Sequence, residues 1–205
     1  MTASLHVLIL AAGASSRLGQ PKQLVKLGGH PVLHGVVAAA TALAGHSVTV
    51  VVGAHASEVT RLLAHSPASV IVNRRWEEGM ASSIRLGVGS LSAATDAVLI
   101  LLGDQVAVSA DDLKRLAASW KEADGVIAAA TYDQRVAVPA IFPRMCFGEL
   151  AELRGDQGAR QILERNSFRV VRVPMPNAAV DLDTPEDLAA LTQRFNSTTP
   201  GTTDS

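Results

Sequence analysis

The run Leu5-His6-Val7-Leu8-Ile9-Leu10 passes directly into Ala11-Ala12-Gly13-Ala14-Ser15-Ser16-Arg17-Leu18-Gly19-Gln20-Pro21-Lys22, and this junction constrains the fold more than any other part of the chain. Continuous rather than alternating hydrophobicity is the pattern of a strand covered on both faces, as in a parallel sheet with helices on either side. In such sheets ligands bind beyond the carboxyl ends of the strands, so function is expected to begin in the loop after Leu10. Gly13 and Gly19 can take positive φ, Ala11, Ala12 and Ala14 add little bulk, and Ser15 and Ser16 can donate from hydroxyl and backbone alike. Such a loop makes an anion cradle. Arg17 supplies a planar fork for phosphate and Lys22 a mobile point charge, a pair that suits a triphosphate. Two familiar phosphate loops are excluded: Gln20-Pro21 stand between Gly19 and Lys22, and no G-x-G-x-x-G opens a helix. Read without a ligand, the same stretch is an ordinary strand-to-helix connection.

The rest of the chain alternates strand-like and helix-like segments. Val32, Leu33, Val36, Val37, Ala40 and Leu43 recur at helical spacing; Val48 to Val52, Val70 to Val72 and Ala97 to Leu102 read as strands, with helices over 57–63 and 82–91. Ser109, with Asp112 three residues on, caps a helix to about Glu122. Strands are expected over 126–131, 138–142 and 168–173, a helix over 158–165 and a short extended piece over 180–183. Thr184-Pro185-Glu186-Asp187 is a helix start, with a cap, a first-turn proline and acids near the positive helix end. The alternation predicts an α/β fold with one doubly wound, mainly parallel sheet and helices on both faces, over residues 1–195. The Thr-, Ser- and Pro-rich tail, 196–205, is expected to be disordered.

Two acidic sites should reach the same edge of that sheet. Asp104 follows the buried run Val98 to Leu102, and Asp181 and Asp183 flank Leu182 just before the Thr184 cap. Carboxylates from separate strand ends beside a triphosphate loop suggest Mg²⁺, which typically takes one or two carboxylates plus phosphates and waters. Each also has a plainer reading, Asp104 as a turn residue after glycine and Asp183 as a charge at a helix start.

Composition narrows the partners. A net charge of −1 and 3% aromatic residues provide neither a basic face nor stacking platforms for nucleic acid. A single cysteine excludes an intramolecular disulfide and fits a reducing compartment. Neither a signal-like N-terminus nor an apolar run long enough to cross a bilayer is evident, so a cytoplasmic protein without a membrane partner is expected.

The motifs together resemble the nucleotidyltransferase family of molybdenum cofactor maturation, most closely its cytidylyltransferase branch. They are the 10–22 loop, Asn73 with Glu78-Gly79-Met80-Ala81-Ser82-Ser83-Ile84, Leu102-Gly103-Asp104-Gln105, Val138-Pro139-Ala140-Ile141-Phe142, Arg154-Gly155-Asp156-Gln157-Gly158-Ala159-Arg160, and Asp181-Leu182-Asp183-Thr184-Pro185-Glu186-Asp187. The resemblance implies transfer of a nucleoside monophosphate to the terminal phosphate of molybdopterin, with release of pyrophosphate and delivery of the product to a molybdoenzyme or its chaperone. Arg17, Lys22 and Asp104 would be the catalytic residues, and Asp104 and Asp183 would hold Mg²⁺. The nucleotide would lie along residues 11–17, Lys22, Gly79, Met80, Ser82 and Ser83, and Arg154, Asp156 and Arg160 would face the acceptor. Ala12 gives Ala-Ala-Gly, the pattern of the cytidylyl branch, where the guanylyl branch has Ala-Gly-Gly, so CTP is favoured over GTP.

Ala137 and Val106 depart from the family pattern, which usually has glycine and proline there. Guanylyl or other nucleotidyl transfer to a different phosphorylated acceptor therefore stays open, as does a carrier that holds the cofactor and transfers nothing. His30 and His34 have helical metal-pair spacing but no third ligand is evident. Cys146, Trp76 and Trp120 are expected to be packing residues, and Asn73-Arg74-Arg75 reads either as a phosphate contact or as a solvated edge.

Overall fold

A computed structural model describes residues 3–121 and 125–198, with side chains through residue 195. The chain enters as strand β1 (Leu5–Ala11), turns through the cation-bearing loop into a two-residue hairpin, β2 (Lys26–Leu27) and β3 (His30–Pro31), and then forms helix α1 (Val32–Ala44). There follow β4 (Val48–Val52), α2 (Ala56–Leu62), β5 (Ser69–Val72), α3 (Met80–Gly89), β6 (Ala97–Leu102) and α4 (Ala110–Lys121). The last part consists of β7 (Ile127–Tyr132), β8 (Arg135–Pro143), α5 (Phe147–Glu152), α6 (Arg160–Arg165), β9 (Val170–Pro174) and α7 (Pro185–Thr198).

Seven strands form one sheet in the order β5-β4-β1-β6-β8-β7-β9. β1 is central and pairs in parallel with β4, Val7 opposite Val48, and with β6, Leu5 opposite Ala97. β8 is antiparallel to both β6 and β7, while β7 and β9 are parallel, so β8 is the strand running against the rest. The expected doubly wound, mainly parallel sheet is present.

Burial explains why β1 shows no alternation. Val7, Ile9 and Ala11 join a core with Leu33, Val37, Val59, Leu113 and Trp120 from α1, α2 and α4. Leu8 and Leu10 join a second core with Ile84, Leu150 and Ile162 from α3, α5 and α6. Both faces are therefore buried, each large apolar side chain contributing about 1.5–3 kcal/mol. A third, smaller cluster of Leu18, Val25, Leu27, Val32, Leu182 and Leu191 ties the loop and hairpin to α7.

Two strands, Val48–Val52 and Ala97–Leu102, have the bounds their sequence suggests. Both helix caps form as capping boxes. Asp112 N donates to Ser109 Oγ while Ser109 N donates to Asp112 Oδ2, and Asp187 N donates to Thr184 Oγ1 while Thr184 N donates to Asp187 Oδ2.

Elsewhere the structure differs from expectation. The β7–β8 turn places Asp133 and Gln134 at φ 47° and 59°, a two-residue hairpin geometry formed without the glycine that usually announces it. β9 starts at Val170, not Phe168, because residues 167–169 form a helical turn that leaves Phe168 exposed. Residues 180–183 join no strand ladder among the described residues. Helix α7 continues through Thr198, into the stretch expected to be disordered. Residues 199–205 of that tail and the expected helix end at Glu122 lie outside the described residues.

Candidate active site

The parallel strands β1, β4 and β6 end together, at Ala11, Val52 and Leu102, and the loop beyond β1 is shaped by hydrogen bonds within itself. Leu18 N and Gly19 N both donate to Ser15 O, at 3.1 and 3.2 Å, and Lys22 N donates to Ser15 Oγ at 3.1 Å. The turn uses positive φ at Gly19 (74°), one of the two glycines that can take it, and at Ser15 (57°), while Gly13 does not use it. Gln23, 1% exposed, staples the loop: its Nε2 donates to Ala11 O at 3.1 Å and Gly13 O at 3.3 Å. Both partners are carbonyls, so the amide nitrogen must face them and Oε1 is the atom left buried without a partner. Sequence reasoning missed Gln23, whose only signal was a polar side chain between Lys22 and the apolar Leu24-Val25.

The expected cations and acids converge. Lys22 Nζ contacts Asp104 Oδ2 and donates to Asp183 Oδ1 at 3.1 Å, and Arg17 Nη2 donates to Asp183 Oδ2 at 2.8 Å. Arg17 and Lys22 of one loop and the sequence-distant Asp104 and Asp183 thus form one charge cluster. Burial by itself would lower the Lys22 pKa, but Asp104 and then Asp183 outweigh it and hold the ammonium above its ordinary value. Burial, with Asp104 and Asp183 close by, pushes the Asp181 carboxyl up to about 7. Burial first, then Asp181, also raises the Tyr132 phenol.

A cavity of about 380 Å³ opens beside this cluster. Ala11, Ala12, Gly13, Lys22 and Gln23 form one wall, Leu102, Gly103 and Asp104 a second, and Trp76, Gly79, Met80, Ser83 and Asp156 a third. Ala14, Ser15, Ser16 and Arg17 belong to the loop but lie outside this wall. Trp76, expected to be a packing anchor, is half-buried on the cavity side, while Trp120 and Cys146 are buried as expected.

Ser82 is not on the wall. Its hydroxyl accepts from Asn73 Nδ2 at 2.8 Å and lies 2.8 Å from Gly79 O and 3.0 Å from Arg75 O, so its bonding capacity is used in building the start of α3. Asn73 also donates to Ser83 Oγ at 2.9 Å, which positions the serine that does reach the cavity. Arg74 and Arg75 are exposed, and Arg75 pairs with Glu78.

Gly79, at φ +96°, allows the 153–159 loop to seat here. A Cβ on Gly79 would lie 2.4 Å from Gly155 O and 2.5 Å from Asp156 Oδ1. Ala81 N donates to Gly155 O at 3.1 Å.

A second cavity, about 240 Å³, continues from the first past Leu10, Met80, Leu102 and Asp156 to Tyr132, Ala137, Val138 and Arg160. Of the three residues expected near the acceptor, Asp156 and Arg160 line it and exposed Arg154 does not; Arg154 bonds to Leu153 O and Gln157 instead. Gln105, 0% exposed, receives a bond from Leu102 N and donates to Val138 O (2.9 Å) and Ala178 O (3.3 Å), so it ties β6 to β8 rather than reaching a ligand.

The donor set suits a hard divalent cation. Asp104 and Asp183 present carboxylates from separate elements, and Asp104 Oδ1 is buried with no hydrogen-bond partner. Among the described residues no group of three or more His, Cys, Asp and Glu is arranged to hold a metal, so an ion here would complete its coordination with ligand atoms and water.

A mainly parallel sheet with such a cleft at its carboxyl edge defines a Rossmann-like nucleotidyltransferase fold. The chain belongs to the family described as MobA-like NTP transferase domain, which it matches over residues 7–170. Purine catabolism protein PucB of Bacillus subtilis (strain 168) is 31% identical over 196 residues, covering 88% of this chain and 92% of that protein. Nicotine blue oxidoreductase of Paenarthrobacter nicotinovorans is 30% identical over 197 residues, covering 90% and 94%. A Nostoc protein named "Probable molybdenum cofactor guanylyltransferase" is 26% identical over 202 residues, covering 96% and 95%. The crystal structure of Rv0371c from Mycobacterium tuberculosis H37Rv superimposes with a TM-score of 0.82 at 30% identity, over 94% of this chain and all of that one. A manganese complex of Rv0371c superimposes with a TM-score of 0.78 at 25% identity, again over 94% of this chain.

Proposed function

We propose that this chain transfers CMP from CTP to the terminal phosphate of a molybdopterin-type acceptor and releases pyrophosphate. The observation that carries the reading is the placement of Lys22 Nζ against both Asp104 and Asp183 at the mouth of a cavity walled by the 11–13 loop. A pure carrier has no use for opposed carboxylates beside a cation-bearing loop.

The attacking group is itself a phosphate, whose second pKa is about 6, so it is largely ionised near neutrality and needs no protein base. An acceptor oxygen bonds to the α-phosphorus of CTP, the bond to the β-phosphate bridging oxygen breaks, and that oxygen leaves with pyrophosphate. The obstacle is charge repulsion between two anions. Lys22 and Arg17 are the side chains that offset it, Lys22 as a mobile ammonium and Arg17 as an exposed fork that can follow the phosphates. Asp104 and Asp183 would hold Mg²⁺, which when bound supplies further charge neutralisation on the transferred phosphoryl and leaving group.

Ala12 supports the choice of CTP. It lines the cavity, and its methyl carbon packs so closely on Gly53 that a Cβ there would lie 2.8 Å away. By the resemblance, alanine at this position goes with the cytidylyl branch, where the guanylyl branch has glycine. The likeness to a guanylyltransferase-named protein supports GTP as the second reading. The acceptor side rests on Asp156 and Arg160, which line the continuation of the cleft.

The test is pyrophosphate release from each nucleoside triphosphate in the presence of molybdopterin, with the product identified by mass. Release with CTP well above GTP is expected. Release only with GTP would move the assignment to guanylyl transfer, and no release with any nucleotide would remove the transferase reading.

A further inference from the structure

Beyond the second cavity lies a third, about 190 Å³, whose wall includes Arg135, Arg160, Arg172, Glu164 and Ser167. The three arginines come from three different elements, the start of β8, the start of α6 and the middle of β9. Glu164 is the one acid on this wall and it is already paired, accepting from Arg160 Nε at 2.8 Å. Among the described residues the side chains of Arg135 and Arg172, whose backbones pair with β7, make neither a side-chain hydrogen bond nor an ion pair.

Placement makes this concentration of charge unusual. Successive side chains of a strand alternate faces, so Arg172 shares a face with Val170, which packs against the core beneath α3, α5 and α6. An apolar residue in that row would extend the core; an arginine ends it with a charged wall. In a chain of net charge −1, two uncompensated guanidinium groups beside one cavity leave a local excess of positive charge. Guanidinium forks match the paired oxygens of phosphate and carboxylate. The volume, half that of the main cavity, suits one such group and not a nucleotide.

We propose that Arg135, Arg172 and Arg160 form a second anion-binding site, separate from the triphosphate loop, for a phosphate or carboxylate group. Arg160 lines both this cavity and the one that continues the main cleft, so the site lies at the far end of a path that starts at Lys22 and Asp104. The anion is either free in solution or a second charged group on the acceptor. Only that second source rests on the nucleotidyl-transfer reading.

The test is a titration of the whole chain with inorganic phosphate at constant ionic strength, followed by amide chemical shifts. Saturable shifts are expected at residues 134–136 and 170–172. They should weaken at least about tenfold in Arg135→Gln/Arg172→Gln, as loss of charge-assisted forks requires, and persist in Lys22→Ala. Shifts that do not saturate, or that survive the double substitution, overturn the proposal. Both arginines are exposed, and an unchanged melting temperature checks that the variant is folded. Steady-state assays then separate the sources. A raised acceptor KM with an unchanged CTP KM assigns the site to the acceptor, whereas an unchanged acceptor KM alongside lost phosphate binding assigns it to a free anion. Phosphate binding here in a chain that transfers no nucleotide would remove the transferase reading and leave this site standing.

Discussion

The two sides of the sheet treat charge in opposite ways. On the side built from β5, β4, β1 and β6, the cations Lys22 and Arg17 are matched by Asp104 and Asp183, each from a distant part of the chain. On the side built from β8, β7 and β9, Arg135 and Arg172 line a cavity whose one acid, Glu164, is already taken by Arg160. A cation paired with an acid must exchange partners when a phosphate arrives, whereas an unpaired one only gains a partner. The first arrangement suits a group that must move during a reaction; the second suits a group that only holds.

Substitutions that strike the paired side should have the largest effects. Asp104→Ala is expected to lower pyrophosphate release by at least about 10³-fold, the scale for removing a group that stabilises developing charge, with the melting temperature nearly unchanged. Wild-type turnover in this variant would break the contrast.

Lys22→Ala sharpens it. Removing the ammonium from between two carboxylates leaves them to repel each other, so Mn²⁺ binding without nucleotide should tighten about tenfold while CTP binding weakens about 100-fold. Calorimetry with each ligand alone reads both signs, and a loss of Mn²⁺ binding would contradict the pairing argument.

Gly79→Ala tests the wall shared by the cavities. Its Cβ would lie 2.4 Å from Gly155 O at a φ of +96°, so a loss of about 1–3 kcal/mol in a denaturant melt is expected.

Asp181→Asn is a smaller probe, read through pH. The folded-state carboxyl titrates near 7, above the usual value of 3.8, so the folded chain keeps a proton that the unfolded chain has lost between those limits. Stability should therefore fall as pH rises through that window and level off above about 7. The amide cannot ionise, so its melting temperature at pH 8 should exceed wild type by about 3 °C and the difference should shrink towards pH 5. Arg154→Ala, outside both cavities, should change turnover less than about twofold, in the range of an ordinary surface substitution.

Legibility in the sequence follows the same division. β1, β4 and β6 are parallel strands buried on both faces, and continuous apolar runs announced all three. The placement of Asp104 was legible because strand ends in an open sheet share one edge, whereas Asp183 reaches that edge from a segment that joins no ladder among the described residues, just before α7. The β7–β8 hairpin was not, because Asp133 and Gln134 adopt positive φ without glycine, and so the antiparallel insertion of β8 went unseen. Ser82 and Ser83 are neighbours of one type; their division between building α3 and facing the cavity depends on Asn73, which no spacing rule connects to them. The arginine cavity was invisible for a related reason: residues 135, 160 and 172 meet only once β9 has closed the sheet beside β7.

The seat of Gly155 on the start of α3 has a mechanical consequence. Asp156 lines both the main cavity and its continuation, and Gly79 leaves no clearance between the loop that carries it and the helix. The two compartments thus share one partition, anchored where the loop meets the helix with no room for a side chain between them.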